Sequence, residues 1–122
     1  MTSKHYKDLQ VWQKSMDLVE SIYILSGTLP KEEQFGLSSQ LRRAATSIPS
    51  NIAEGYTRAS TKDYIRFLSI ARGSAAEIET QLEICKRLAY FTEQQIQISL
   101  NLVNEISKML TAMILKSGDK TK

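Results

Sequence analysis

The chain is short of the residues that carry reaction chemistry. Its 122 residues hold one cysteine, Cys85, and one histidine, His5. A lone cysteine forms no internal disulfide, which points to the cytoplasm. His5 lies beside the start of the chain, so no Ser-His or Cys-His pair with credible geometry assembles. No helix carries the Glu-x-x-His pair that a di-iron bundle requires. Gly-x-x-x-x-Gly-Lys and Gly-x-Gly-x-x-Gly are both absent. Without an uninterrupted apolar run of about 18 residues, no segment is expected to cross a membrane. Met1 to Lys7 show no apolar core and no cleavage site, so no signal peptide is expected. Together these absences predict a protein that is not an enzyme and uses no cofactor and no metal.

Helix breakers are scarce as well, with two prolines and five glycines. Apolar residues make up 42% of the chain and charged residues 24%, the balance of a helical domain of one core. No stretch alternates in the manner of a strand, and no internal repeat is present. The expectation is one all-α domain over residues 1–122, an up-down-up-down antiparallel four-helix bundle. Its helices span about 8–26, 31–56, 61–90 and 93–116, with 117–122 a flexible tail.

The stretch from Phe35 to Gly55 organises this pattern. Leu37, Leu41, Ala45, Ile48 and Ile52 fall on one helical face, and Arg43, Ser47, Ser50 and Glu54 step along the opposite one. Pro49 interrupts the helix at a cost of roughly 3 kcal/mol, but the apolar phase carries through it, which predicts a kink. In the first helix, Leu9, Trp12, Met16, Val19 and Tyr23 form one seam, and Val11, Leu18, Ile22 and Leu25 a second. Asp8 is placed to cap this helix and Gly27 to stop it. Trp12 reads as a core residue.

The third helix opens on Ser60-Thr61-Lys62-Asp63, which resembles a capping box. An unbroken heptad seam follows through Tyr64, Leu68, Ala71, Ala75, Ile78, Leu82, Cys85 and Ala89. Far from that seam lie Ile65, Gly73, Ala76, Thr80 and Ile84, flanked by Ile70 and Leu88. A helix that is small or apolar nearly all round suits burial on two sides, which a subunit interface supplies; an ordinary surface with a few exposed apolar residues is the other reading. The fourth helix opens on a full capping box, Thr92 to Gln95, with Phe91 and Ile96 placed as its hydrophobic staple. Its seams are Ile96, Leu100, Val103, Leu110 and Ile114, and Leu102, Ile106, Met109 and Met113.

The net charge is only +3, but it is unevenly spread. Residues 36–76 carry a local +4 and residues 77–107 a local −3. The alternating topology gathers Lys4, Lys7, Arg58, Lys62, Arg66, Lys116, Lys120 and Lys122 at one end of the bundle. Against Asp8, Glu54, Asp63 and Asp119 that end sums to +4, and the other end to −1. Such an end either contacts phosphates or is simply a solvated helix end. Arg58, Lys62 and Arg66 are the principal candidates for nucleic-acid contact, with Arg42, Lys116 and Lys120 beside them. Arg43, Ser47, Ser50, Glu54, Gly73, Ala76, Thr80 and Ile84 are the candidates for an oligomer interface, with Arg43 and Glu54 able to pair across it.

The run Gln40-Leu41-Arg42-Arg43-Ala44-Ala45, continuing through Ser47-Ile48-Pro49-Ser50-Asn51-Ile52-Ala53-Glu54-Gly55, resembles the bacterial four-helix bundle proteins of the 23S rRNA intervening-sequence protein family. Asp8-Leu9, Val11-Trp12-Gln13, Phe35-Gly36-Leu37, Phe67-Leu68, Ile70-Ala71, Gly73-Ser74, Glu77 and Glu79-Thr80-Gln81-Leu82 extend the likeness over residues 8–115. The resemblance implies an up-and-down bundle that assembles as a homopentamer. Members occur as reading frames inside intervening sequences of large-subunit rRNA genes. A related, strongly basic branch serves diversity-generating retroelements and binds nucleic acid and a reverse transcriptase. The combined expectation is an oligomeric bundle that contacts structured RNA or DNA through a basic rim; the alternative is a protein-interaction scaffold that binds no nucleic acid.

Overall fold

Local signals set most of the helix boundaries. In the computed structural model, which describes the backbone of residues 5–120 and side chains as far as Gly118, four α-helices follow one another: α1 (Gln10–Ser26), α2 (Leu37–Tyr56), α3 (Thr61–Arg87) and α4 (Glu93–Lys120). Ser60 caps α3 by accepting the Asp63 N–H at 3.1 Å. The Asp63 carboxylate does not complete the box and lies 3.5 Å from Arg66 instead. At α4 the box closes in both directions. Thr92 Oγ1 accepts the Gln95 N–H at 3.2 Å, and Gln95 Oε1 accepts the Thr92 N–H at 2.8 Å. Phe91 and Ile96 beneath it are both buried.

Several boundaries differ from the sequence expectation. Asp8 does not cap α1; it ends a 3-10 turn, Tyr6–Asp8, and Leu9 takes the cap position without a side-chain bond. Gly27 closes α1 in right-handed geometry, φ −66°, with no left-handed step. The helix expected from residue 31 is broken. Lys31–Glu33 form a 3-10 turn and α2 begins at Leu37, because Gly36 leaves helical geometry at φ −109° and ψ −110°. Glu33 then reaches back, its Oε1 accepting the Leu37 N–H at 3.2 Å. A Cβ on residue 36 would lie 2.7 Å from that same oxygen.

At the other end of α3, Ala89 is not part of the helical seam. It is exposed and takes φ +63°, so that Ala89 N–H reaches Lys86 O and Tyr90 N–H reaches Cys85 O. This is a Schellman stop with alanine where glycine is usual. α4 runs past its expected end at residue 116, and residues 121–122 of the expected tail lie outside the described residues. Residues 117–120 continue α4, since Gly118 weakens a helix by only about 1 kcal/mol and no proline follows.

α2 passes through Pro49 as one continuous helix. Proline removes the N–H that would serve the Ala45 carbonyl. Around it, polar side chains bond back to the helix: Ser50 Oγ donates to Thr46 O at 2.7 Å and Asn51 Nδ2 to Ser47 O at 2.7 Å.

Each helix packs on two neighbours: α1 on α2 and α4, α2 on α3, and α3 on α4. Among the described residues the diagonal pairs do not approach one another. This is the arrangement of a four-helix bundle. The core line of α1 is Val11, Ser15, Leu18 and Ile22, so the Trp12 seam flanks the core; Trp12 is half-buried, and Met16 and Tyr23 are exposed. The α2 and α3 seams are buried as expected, from Leu41 to Ile52 and from Leu68 to Cys85. α4 contributes Ile96, Ser99, Val103, Ile106 and Leu110, a line between the two expected seams.

Within Glu93–Gly118 an 18-residue window has mean hydropathy 1.2, so α4 is long and apolar enough by length and composition to cross a membrane. Apolar residues on its outer face, Ile98 and Leu115 among them, raise this average although charges interrupt the run.

Exchanging glycine and alanine has opposite expected effects at two positions. Ala89→Gly relieves the left-handed strain and is expected to stabilise by about 1 kcal/mol. Gly55→Ala places a Cβ 2.9 Å from Phe67 Cβ between α2 and α3 and is expected to destabilise by about 1–3 kcal/mol. Thermal and urea unfolding measure both; a lower Tm for Ala89→Gly would contradict the cap geometry.

Candidate nucleic-acid and subunit surfaces

The α2–α3 turn gathers the principal cationic candidates. Arg58 leaves the end of α2, and Lys62 and Arg66 stand on the first two turns of α3. Phe67 lies between the two arginines, whose guanidinium carbons sit 5.0 Å (Arg58) and 4.4 Å (Arg66) from its ring centre. Arg58 also meets Glu54 at 2.8 Å, and Arg66 meets Asp63 at 3.5 Å. Such exposed pairs are worth roughly 0–1 kcal/mol, weak enough to exchange for a phosphate. Lys62 is exposed and makes no ion pair among the described residues. A hollow of about 240 Å³ beside Arg58 is lined by Tyr56, Tyr64 and the start of α3.

Among the remaining basic candidates, Arg42 stands apart from this cluster. Lys116 is exposed near the end of α4. The Lys120 and Asp119 side chains, and all of Lys4 and Lys122, lie outside the described residues. Arg42 sits beside the α1–α2 connection. Its Nε donates to Ser26 Oγ at 2.8 Å, its Nη2 points to Tyr23 O at 3.5 Å, and its guanidinium stacks 4.6 Å above the Tyr23 ring centre.

The interface candidates lie on the outward sides of α2 and α3. Ser74 Oγ donates to Ser47 Oγ at 2.9 Å, so Ser47 serves the contact between these two helices. Glu54 pairs with Arg58 of its own chain, and Arg43 has no carboxylate partner among the described residues. Ser50, Gly73, Ala76, Thr80 and Ile84 are exposed, and a Cβ built on Gly73 would meet nothing within 4 Å. Between the helices runs a groove of about 410 Å³ holding Arg43, Ile70, Glu77 and Gln81. Gln81 is 8% exposed and its Oε1 has no hydrogen-bond partner among the described residues. A buried acceptor of this kind costs about 1–3 kcal/mol until a donor reaches it.

Two features escaped the sequence. Phe35 is 90% exposed, and Lys31 lines the same hollow as the two arginines of α2. The available signal was Phe35's position before Gly36, outside the Leu37–Leu41–Ala45 line.

Three groups have displaced proton affinities. Burial, with the Glu33 charge beside it, pushes the Cys85 thiol from 9.0 up to about 11. The Tyr90 hydroxyl donates to Glu33 Oε2 at 3.0 Å, and that bond, followed by burial and neighbouring charge, raises its pKa. Burial, then Tyr56, raises that of Tyr64.

The family described as 23S rRNA-intervening sequence protein matches residues 7–112. A crystal structure from Bacteroides thetaiotaomicron, described as a protein of unknown function from the S23 ribosomal protein family, is 35% identical with a TM-score of 0.79. The likeness covers 85% of this chain and 97% of that one. No curated protein matches.

The displaced groups predict alkaline destabilisation. The unfolded thiol releases its proton near 9.0 and the folded one near 11, so the unfolded chain holds fewer protons in that window and stability falls as pH rises through it. Tyr64 and Tyr90 act in the same direction. Tm is expected to decline steadily from pH 8.5 to 11, while Cys85 resists thiol reagents in the folded protein at pH 8. Rapid labelling of the folded protein would contradict the buried placement.

Proposed function

The chain belongs to the 23S rRNA-intervening sequence protein family, and from that premise we propose that it is a non-enzymatic homo-oligomer that contacts the phosphates of structured RNA or DNA through the α2–α3 turn. The observation that carries this reading is the pair Arg58 and Arg66 stacked on Phe67, with the exposed Lys62 one helical turn before Arg66. Stacking on one ring holds the two guanidinium groups near each other without withdrawing them from solvent, and a phosphate backbone offers the repeated charge that suits such a pair.

The proposed body is an up-down-up-down antiparallel bundle with α2 bent at Pro49. In support, Gln40 meets Gln81, Ser47 meets Ser74 and Gly55 approaches Phe67, so positions rise along α2 as they fall along α3. We read α4 as a core helix of this bundle and not as a membrane span, because its Ile96–Leu110 line packs against its neighbours. The single buried cysteine supports a cytoplasmic setting.

Assembly uses the outward faces of α2 and α3, where Gln81 Oε1 awaits a donor. The family resemblance makes the homopentamer the assembly of choice, and repetition around a ring would multiply a weak basic patch.

Two measurements test the reading. Binding to a structured RNA and to a duplex DNA is expected to weaken by roughly 40-fold between 50 and 200 mM salt if three phosphates are contacted per protomer. Changing Arg58, Lys62 and Arg66 to glutamate should abolish it. Absence of binding at low salt would sink the nucleic-acid reading and favour the protein-scaffold alternative. Separately, Gly73→Glu is expected to leave each protomer folded, because the added side chain enters open space, yet to reduce the particle to single chains. A variant of wild-type mass would remove α3's outward face from the interface.

A further inference from the structure

We propose that the corner between α1 and α2 is a second site, built to hold a nucleoside phosphate. A cavity of about 820 Å³ opens there, between the end of α1, the Lys31–Glu33 turn and the start of α2. Lys31, Arg42 and Arg43 line it, and no aspartate or glutamate does. None of these three cations forms an ion pair among the described residues, whereas Arg58, Arg66, Lys86 and Arg87 all face a carboxylate within 4.0 Å. Three cations without an ion-pair partner among the described residues therefore share one cavity.

Arg42 carries the argument furthest. It is half-buried, and its partners are a hydroxyl, a carbonyl and an aromatic face, all of them neutral. Those contacts fix the guanidinium in place while using two of its five N–H donors. A partly desolvated charge without a counter-ion is unfavourable, and a phosphate removes that penalty while accepting the remaining donors. Ser39, in the first turn of α2, also lines the cavity, while the Glu33 carboxylate occupies the start of that helix by accepting the Leu37 N–H at 3.2 Å.

Phe35 supplies a different requirement. It lines the same cavity and is the most exposed large apolar side chain, at 90%. A solvated phenyl face beside three cations suits a planar base attached to a phosphate, since base–aromatic stacking accepts any base. A duplex keeps its bases stacked on one another and offers no such face. The ligand is thus a free nucleotide or a nucleotide within a single strand. The inference is independent of the role assigned to the α2–α3 turn.

The full-length protein would be titrated at 50 mM salt with a labelled oligouridylate dodecamer, with AMP and inorganic phosphate as competitors. Lys31→Glu and Phe35→Ala alter exposed side chains, and thermal unfolding would verify that each variant folds. Each is expected to weaken dodecamer binding by about 10-fold. AMP should compete better than inorganic phosphate if free nucleotides are accepted, and only the dodecamer should bind if the site takes a strand. Changing Arg58, Lys62 and Arg66 together should leave a residual binding that still depends on Lys31 and Phe35. No binding by dodecamer or AMP would overturn the proposal, as would binding that both variants leave unchanged. Phosphate competing as well as AMP, with no loss in Phe35→Ala, would overturn its nucleoside part. A changed particle mass in Phe35→Ala with binding intact would assign Phe35 to a subunit contact and overturn its role here.

Discussion

The close approach of α2 and α3 is the constraint on which the rest depends. Ala44, Ala45 and Gly55 on one helix face Ala71, Ser74 and Ala75 on the other, and all six are buried. Small side chains let the two backbones come together, and the Ser74–Ser47 hydrogen bond fixes how far one helix slides along the other. Gly55 is the tightest point, with Phe67 packed against its backbone. That contact also sets the position of the Phe67 ring and of the two arginines that stack on it. Packing and the candidate surface therefore share one residue.

Pro49 belongs to the same constraint. It is buried within α2 on the side that packs, where a missing N–H cannot be replaced by water. Thr46, Ser50 and Asn51 on the neighbouring turns return hydrogen bonds to nearby helical carbonyls. These bonds end on the Arg42, Arg43, Thr46 and Ser47 carbonyls and not on that of Ala45, whose helical donor Pro49 removes. Ser47 and Ser50 look like surface residues by spacing, yet each is engaged within the chain.

Charge is arranged by neighbours in space. In the negative segment from Glu77 to Glu105, Glu83 pairs locally with Arg87 and Glu105 pairs across helices with Lys14, while Glu77 and Glu79 form no ion pair among the described residues. Glu54 and Asp63 pair with Arg58 and Arg66. In the α1–α2 corner Glu32 and Glu33 stand in the connecting turn, yet no carboxylate pairs with Lys31, Arg42 or Arg43 among the described residues. Two positive regions result, differing in kind: one paired, exposed and stacked on an aromatic ring, the other unpaired and partly enclosed.

Periodicity and capping chemistry were legible in the chain because both act within a few residues. The Leu68–Cys85 seam, the Leu41–Ile52 face and the Thr92–Gln95 box need only spacing and local hydrogen bonding, and they stand where the sequence put them. The helix stop at Ala89 was hidden, because an alanine in a left-handed turn leaves no mark in composition. Choosing Val11–Ile22 over the Trp12 seam required a partner, since two adjacent apolar lines are equivalent until α2 and α4 bury one of them. The sequence by itself determined four helices and their apolar faces, because those depend on contacts between near neighbours. Only the tertiary structure decided which arginines are neutralised, where Arg42 is held and that Phe35 faces solvent, because those depend on which distant residues the packing brings within reach.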